Sequence, residues 1–457
     1  MFPLFDWIKN FDRNDFKRKF KFFKEEWLPI VIGGVAALLI LIFVIGSISN
    51  ASKRKAAEEA ALLAAEEKNQ QERAALDAQV EDLLQQANTA AAQYDYETAL
   101  SILAPVTKHT NQYPKLKQAI SDYETAQEAL VAWSDPAQVP NLSFQMLIAD
   151  PDAAFNDEQY GKALNTRYVT TEEFSKILVQ LYENDYILVS LKDLYTTQGS
   201  EDGAVAYMAD TIYLPAGKKP LIITQTNVNY DQYLIDKNKD GDLSDGRGFA
   251  SKLLIQDGKP VNEMVDSNGY TTVGEYDLIP ILESFVRSHP DFSYRGAKAV
   301  IAVTGHEGLF GYRQVEQASA TAQWLKDNGY ELACYTYGNE AYGRQELPAI
   351  RADLLNWNES IAPVLGNVDI LVYAQRSDLA DYAGGKFEIL LQQGFHYYLG
   401  FCTDGAPWSK ATTQYIRQGQ IMVAGATMTH NSDWFSGMFD PSSVLDSSRG
   451  TVPSWSW

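Results

Sequence analysis

From Leu142 onward, short apolar runs alternate with amphipathic helical runs, and this limits the possible folds more than any other feature. PLIITQ (220–225), AVIAVTG (299–305), ELACYTYG (331–338), VDILVYA (368–374), HYYLGF (396–401) and QIMVAG (420–425) read as buried strands. Helices over 171–184, 314–328 and 385–393 separate several of them. Strands buried on both faces are near-continuously apolar, and strands joined through helices pair in parallel. The region is therefore α/β, a parallel sheet or barrel. Its chemistry is expected in the residues that follow the C-terminal ends of the strands.

Upstream, Leu28 to Ile48 is a charge-free run of 21 residues. At about 1.5 Å per residue it covers about 30 Å, the hydrocarbon thickness of a bilayer. A cleavable signal peptide has a shorter apolar run and a shorter leader. Lys9, Arg13, Lys17, Arg18, Lys19, Lys21 and Lys24 precede the span, and only Lys53, Arg54 and Lys55 follow closely. The positive-inside rule assigns residues 1–27 to the cytoplasm, 28–48 to a single transmembrane helix, and the C-terminal region to the opposite, outer side of the membrane.

Residues 51–80 are rich in Ala, Glu, Lys and Gln and lack Gly and Pro, which suits a helical spacer. The apolar positions are mostly Ala, so a coiled-coil seam is not secured. Residues 81–133 read as a helical stalk, a single hairpin of the tetratricopeptide type covered by a further helix over 113–133. SDPAQVPN (134–141) is the linker to the domain at 140–457. The net charge of −21 argues against a nucleic-acid partner. Two cysteines, Cys334 and Cys402, exclude a disulfide scaffold and a Cys-based zinc site, and leave open whether they pair.

Longer segments carry a family resemblance. YVTTEEFSKILVQLYENDYILVSLKDL (168–194), KPLIITQTNVNY (219–230), HPDFSYRGAKAVIAVTGHEGLFGYR (289–313) and WLKDNGYELACYTYGN (324–339), followed by ILVYAQRSDL and GFHYYLGF, resemble the polysaccharide deacetylases of the NodB-homology type, in a membrane-anchored bacterial branch. The resemblance implies a deformed (β/α) barrel over about 140–450. It also implies a catalytic base and a metal-binding Asp in a Thr-x-Asp-Asp-like motif, with two more ligands in His-x-x-x-His. A metal so held polarises an acetyl carbonyl and activates water, and the base removes a proton.

This chain departs at all four places. Thr226 stands at the base, Asn227 at the metal-binding Asp, and Tyr335 and Asn339 at the two His positions. YAQR (373–376) also lacks the Pro and Gly expected at the groove wall. No catalytic residue and no catalytic metal are expected at these positions. The family's sugar site maps to Tyr335, Tyr337, Tyr373 and Arg376 as glycan-pocket candidates. A rebuilt site would draw on His306, Glu307, Asp404 and His430. Asp236, Asn238, Asp240 and Asp242 alternate around Gly241 as in a calcium loop, but Arg247 occupies the twelfth position. A structural calcium and a plain Asx-turn loop stay open as alternatives.

The resulting expectation is a catalytically inactive, membrane-anchored, deacetylase-like protein that binds cell-wall polysaccharide, peptidoglycan or a protein partner. The alternatives are an active deacetylase with an unorthodox site, and a structural envelope protein recruiting partners through its stalk.

Overall fold

The computed structural model describes residues 13–199 and 205–454. Lys9 of the basic flank lies outside them. The chain divides into two compact units, Met1–Asp82 and Leu83–Trp457. In the first, helix Arg13–Phe22 leads through a wider turn at Phe23–Trp27 into helix Leu28–Ala92, which continues into the second unit. The N-terminal part of that helix is long and apolar enough to cross a membrane. Its large side chains, among them Leu38, Leu41 and Phe43, are exposed.

The second unit contains a closed barrel of seven parallel strands. They are β1 (Asn141–Phe144), β2 (Lys219–Thr226), β3 (Ala299–Val303), β4 (Glu331–Cys334), β5 (Ile370–Val372), β6 (Tyr397–Phe401) and β7 (Ile416–Met422). The ring runs β3-β4-β5-β6-β7-β1-β2 and closes by the pairing of β2 with β3. Strand Tyr186–Leu188 adds in parallel outside β2, and Ser409–Ala411 pairs antiparallel with β7.

Alternate residues of each strand face opposite ways, as the extended backbone requires. Ala299, Ile301 and Val303 of β3 join the cluster that includes Leu178, Ile281 and Trp357 of the surrounding helices. Val300 and Ala302 join Ile222, Ile370, Val372 and Leu399 inside the ring. Helix Thr171–Glu183 begins with a capping box, in which Thr170 and Glu173 satisfy each other's backbone N–H groups. Buried Glu173 also accepts from Arg449 at 2.7 Å, which ties the C-terminal segment to the first barrel helix.

The inside of the barrel is not wholly apolar. The Thr224 hydroxyl donates to Asn141 Oδ1 at 2.8 Å, and the Asn141 amide donates to Gln418 Oε1 at 3.1 Å. This chain of bonds crosses β2, β1 and β7. The structure thereby adds β1 and the first half of β7 to the strands readable from the sequence. It also adds helices Leu278–Ser288 and Leu347–Ser360 and an antiparallel sheet of Lys252–Gln256, Lys259–Val265 and Thr271–Gly274.

The helices at the start of the second unit pack on each other. Helices Tyr96–Leu103 and Pro114–Glu128 bury Ala99, Leu103, Leu116 and Tyr123, and the Tyr123 hydroxyl donates to Asn88 at 2.6 Å. The Gln93 carbonyl accepts from the backbone N–H of Arg295, just before β3.

Asp277, fully buried at the head of helix Leu278–Ser288, joins several of these elements. It accepts from Leu147 N at 2.9 Å, Leu278 N at 2.8 Å, Gln225 Nε2 at 2.7 Å and the Tyr230 hydroxyl at 3.0 Å. Burial pushes its carboxyl up to about 6, against the opposing pull of those bonds. Truncation to Asp277→Ala strands several buried donors and is expected to cost roughly 3 kcal/mol in urea unfolding. The folded pKa lies above the unfolded value of about 4. The folded state therefore holds this proton more tightly, and the group's contribution is present below pH 4 and lost as pH rises toward 6. The melting-temperature advantage of the native chain over Asp277→Asn should shrink across that window and stay constant above it.

Candidate functional site

The C-terminal ends of the barrel strands surround a cavity of about 1040 Å³. Phe144 ends β1, Thr226 ends β2 and Met422 ends β7. Tyr335, Gln375, Arg376, Phe401 and Thr403 come from the ends of β4, β5 and β6, and all of these line the cavity. Asn227, Asp231, Asn339, Arg167, Arg344, Asp378, Trp408 and Arg417 complete much of the wall. The four positions Thr226, Asn227, Tyr335 and Asn339 therefore meet in one place, as do Tyr335 and Arg376 of the glycan-pocket candidates.

None of the four offers a charged ligand, and the side chains of three of them are engaged by protein groups. The Thr226 hydroxyl donates to the Phe144 carbonyl at 3.2 Å. The Asn227 amide donates to Asp231 Oδ2 at 2.7 Å. Tyr335 accepts from Gln375 N at 3.4 Å, and burial pushes its phenol up to about 12, so it is neutral at physiological pH. The Asn339 backbone carbonyl accepts from Gln375 Nε2 at 2.7 Å, while its side-chain Oδ1 has no hydrogen-bond partner. Neutral amide, hydroxyl and phenol groups are weak ligands beside carboxylate and imidazole. The residues at these positions do not fit a catalytic zinc-type ion.

The groove wall also differs from the expected Pro and Gly. Gln375 and Arg376 both hold left-handed backbone, at φ 51° and 55°. Such non-glycine conformations cost roughly 1–2 kcal/mol each. The two bonds from Gln375 to the Tyr335–Asn339 turn offset part of that cost. Burial lowers the Arg376 guanidinium to about 10, still cationic at neutral pH, and it lies 5.5 Å from the centre of the Phe401 ring.

Two glycan-pocket candidates lie away from the cavity lining. Tyr373 is fully buried, accepts a bond from the Tyr382 hydroxyl at 2.8 Å and stacks on Tyr398. Tyr337 packs its ring over Gly305, where a Cβ would come within 2.2 Å, and its backbone N–H donates to Asp353. Neither lines the cavity. The rebuilt set His306, Glu307, Asp404 and His430 does not assemble as such. His430 bonds the Val452 carbonyl, and Asp404 caps Ala406 N. His306 and Glu307 instead meet Asp231, the three ligand atoms lying within 4.8 Å of one another. Asp231 is the residue that sequence reasoning missed. Its signal was a carboxylate four residues beyond Asn227, after the end of a strand.

In the acidic loop the carboxylates point at backbone amides. Asp236 accepts from Asp240 N and Gly241 N, Asp240 from Asp242 N, Asp242 from Ser244 N, and Asp245 from Lys237 N and Asn238 N. Arg247, at the twelfth position, turns inward to pair with Asp157 at 3.2 Å and to lie over Tyr160. Cys334 and Cys402 are free and buried.

No family model matches the chain, and no curated protein sequence does. Among solved structures, the Streptococcus pyogenes deacetylase PplD, in complex with acetate, is 13% identical; the match covers 64% of this chain and 94% of that one, with a TM-score of 0.33. A polysaccharide deacetylase from Bacillus cereus is 10% identical over 66% of this chain and 69% of that one, with a TM-score of 0.32. Both are deacetylases. At these values the likeness carries no argument about this chain.

The loop geometry generates a prediction. A ligand that binds only the native state raises its melting temperature. Because the loop carboxylates already hold backbone N–H groups, millimolar calcium is expected to leave the thermal midpoint unchanged. A rise abolished by Asp240→Ala would establish a calcium site.

Proposed function

We propose that this is a cell-surface, membrane-anchored protein with a deacetylase-like barrel that has lost hydrolysis and binds cell-wall glycan. The observation that carries the reading is the composition of the barrel mouth. It keeps the volume and aromatic walls suited to a sugar chain, while the positions that would hold base and metal carry only neutral side chains. Tyr335, Phe401 and Trp408 offer ring faces, and Arg344, Arg376 and Arg417 offer donors to hydroxyl and acidic groups. Arg417 is held in place by Asp378 at 2.6 Å and by the Trp408 ring.

The absence of hydrolysis follows from chemistry at the site. Loss of proton transfer alone is worth about 10²–10⁴-fold. Loss of a metal there removes both the activated water and the carbonyl polarisation. The purified full-length protein in detergent is expected to release no acetate from N-acetylglucosamine oligomers with zinc, cobalt or manganese added in turn. Metal-stimulated release abolished by chelator would overturn the reading.

Binding is tested on purified peptidoglycan. The native protein should co-sediment, and Trp408→Ala should weaken the interaction about tenfold, since one aromatic contact contributes about 1 kcal/mol or somewhat more. Retention equal to that of an unrelated membrane protein would sink the proposal. For the anchor, external protease on intact cells should remove the C-terminal unit and leave a small membrane fragment. Protection of that unit would reverse the assigned direction.

A further inference from the structure

We propose that Asp231, His306 and Glu307 form a divalent transition-metal site on the rim of the barrel mouth, displaced from the neutral positions Thr226, Asn227, Tyr335 and Asn339. The proposal is independent of the glycan reading, and neither stands or falls with the other.

The three residues come from the loops after adjacent strands. Asp231 follows β2, and His306 and Glu307 follow β3, which pairs with β2. One imidazole nitrogen and two carboxylate oxygens lie within 4.8 Å of one another, and no other such group occurs among the described residues. Ligands about 2.0–2.2 Å from a common ion are separated by up to about 4 Å. A small closure of the exposed His306 ring brings the set to that spacing.

Charge gives a second argument. Asp231 is buried at 7% exposure; among the described residues no cationic side chain is within ion-pair distance of it, and Arg313 and His306 act on it only from further off. The one side chain bonded to it is the neutral Asn227 amide. Glu307 adds a second carboxylate, met by the backbone N–H of Gln232 and, at 3.9 Å, by half-exposed Arg313. A buried carboxylate facing another carboxylate is costly without a cation between them.

The surroundings hold the ligands in place. Asn229 is fully buried and donates to the His306 carbonyl, while its own Oδ1 has no hydrogen-bond partner. Asn227, Tyr230 and Glu307 all adopt left-handed backbone. Asn227 thus supports a neighbouring carboxylate rather than binding metal itself, as outer-shell amides do for ligating carboxylates. Mixed imidazole and carboxylate donors suit zinc, cobalt, nickel or manganese more than calcium or magnesium.

The test is calorimetric titration of chelator-stripped full-length protein in detergent with zinc alone. The native chain is expected to bind one equivalent. His306→Ala, at an exposed position that leaves the fold intact, should lower the affinity at least tenfold. Asn227→Ala should lower it about tenfold through loss of orientation. Asp404→Ala should leave it unchanged. Melting curves without metal check that each variant is folded, and the cobalt-loaded native protein should have a visible absorption band that His306→Ala alters. Sub-stoichiometric zinc, an affinity unchanged in His306→Ala, or loss of binding in Asp404→Ala would each overturn the assignment.

Discussion

The mouth of this barrel depends on one buried carboxylate. Besides capping its own helix at Leu278 N, Asp277 accepts three hydrogen bonds from elements far apart in sequence, and each of these fixes a different part of the site's foundation. Leu147 sets the turn after β1. Gln225 is the residue before Thr226. Tyr230, itself bonded by Asn262 of the antiparallel sheet, is the residue before Asp231. A carboxylate in an apolar interior is tolerated because all these donors converge on it. The same convergence leaves the loop after β2 little freedom. Asn227 and Asp231 are therefore presented to the cavity by a rigid base rather than by a mobile loop.

Much of the barrel was legible because its strands are short and continuously apolar. What stayed hidden has a common cause. β1 and the first half of β7 carry Asn141 and Gln418 inside the ring, and in sequence these read as surface residues. Asn141, Thr224 and Gln418 satisfy one another across three strands, so their polarity costs little once the barrel is closed. Hydropathy cannot reveal a partner that lies 277 residues away.

The same limits decided which of these residues reach the cavity. Tyr335 continues the inward parity of Ala333 and enters the cavity. Tyr373 follows inward-facing Val372 and so turns outward into the helical layer. Tyr337 shares the parity of Tyr335, but Thr336 at φ 62° breaks the strand geometry between them. Asp231 had only its carboxylate and its distance from Asn227 as signals, for a related reason. With Asn227 and Tyr230 in left-handed conformations, neither strand nor helix periodicity carries through to it. Alternation is informative only while the backbone stays extended.

The position of β1 has a consequence for how the molecule is made. This first strand is inserted between β2 and β7, the last strand of the ring. Leu142 pairs with Ile421, so the ring stays open along one seam until the chain has been made at least that far. Glu173 likewise waits for Arg449. Domains generally begin folding during synthesis from the N-terminal end, but closure here is set by the arrival of C-terminal residues. With so large a sequence separation, loop-closure entropy must be overcome before the final pairings form, and folding is correspondingly slow. In the interval the half-built sheet has two unpaired edges, at β1 and at whichever strand has most recently emerged. The nascent chain is therefore most vulnerable to misassociation just before β7 appears.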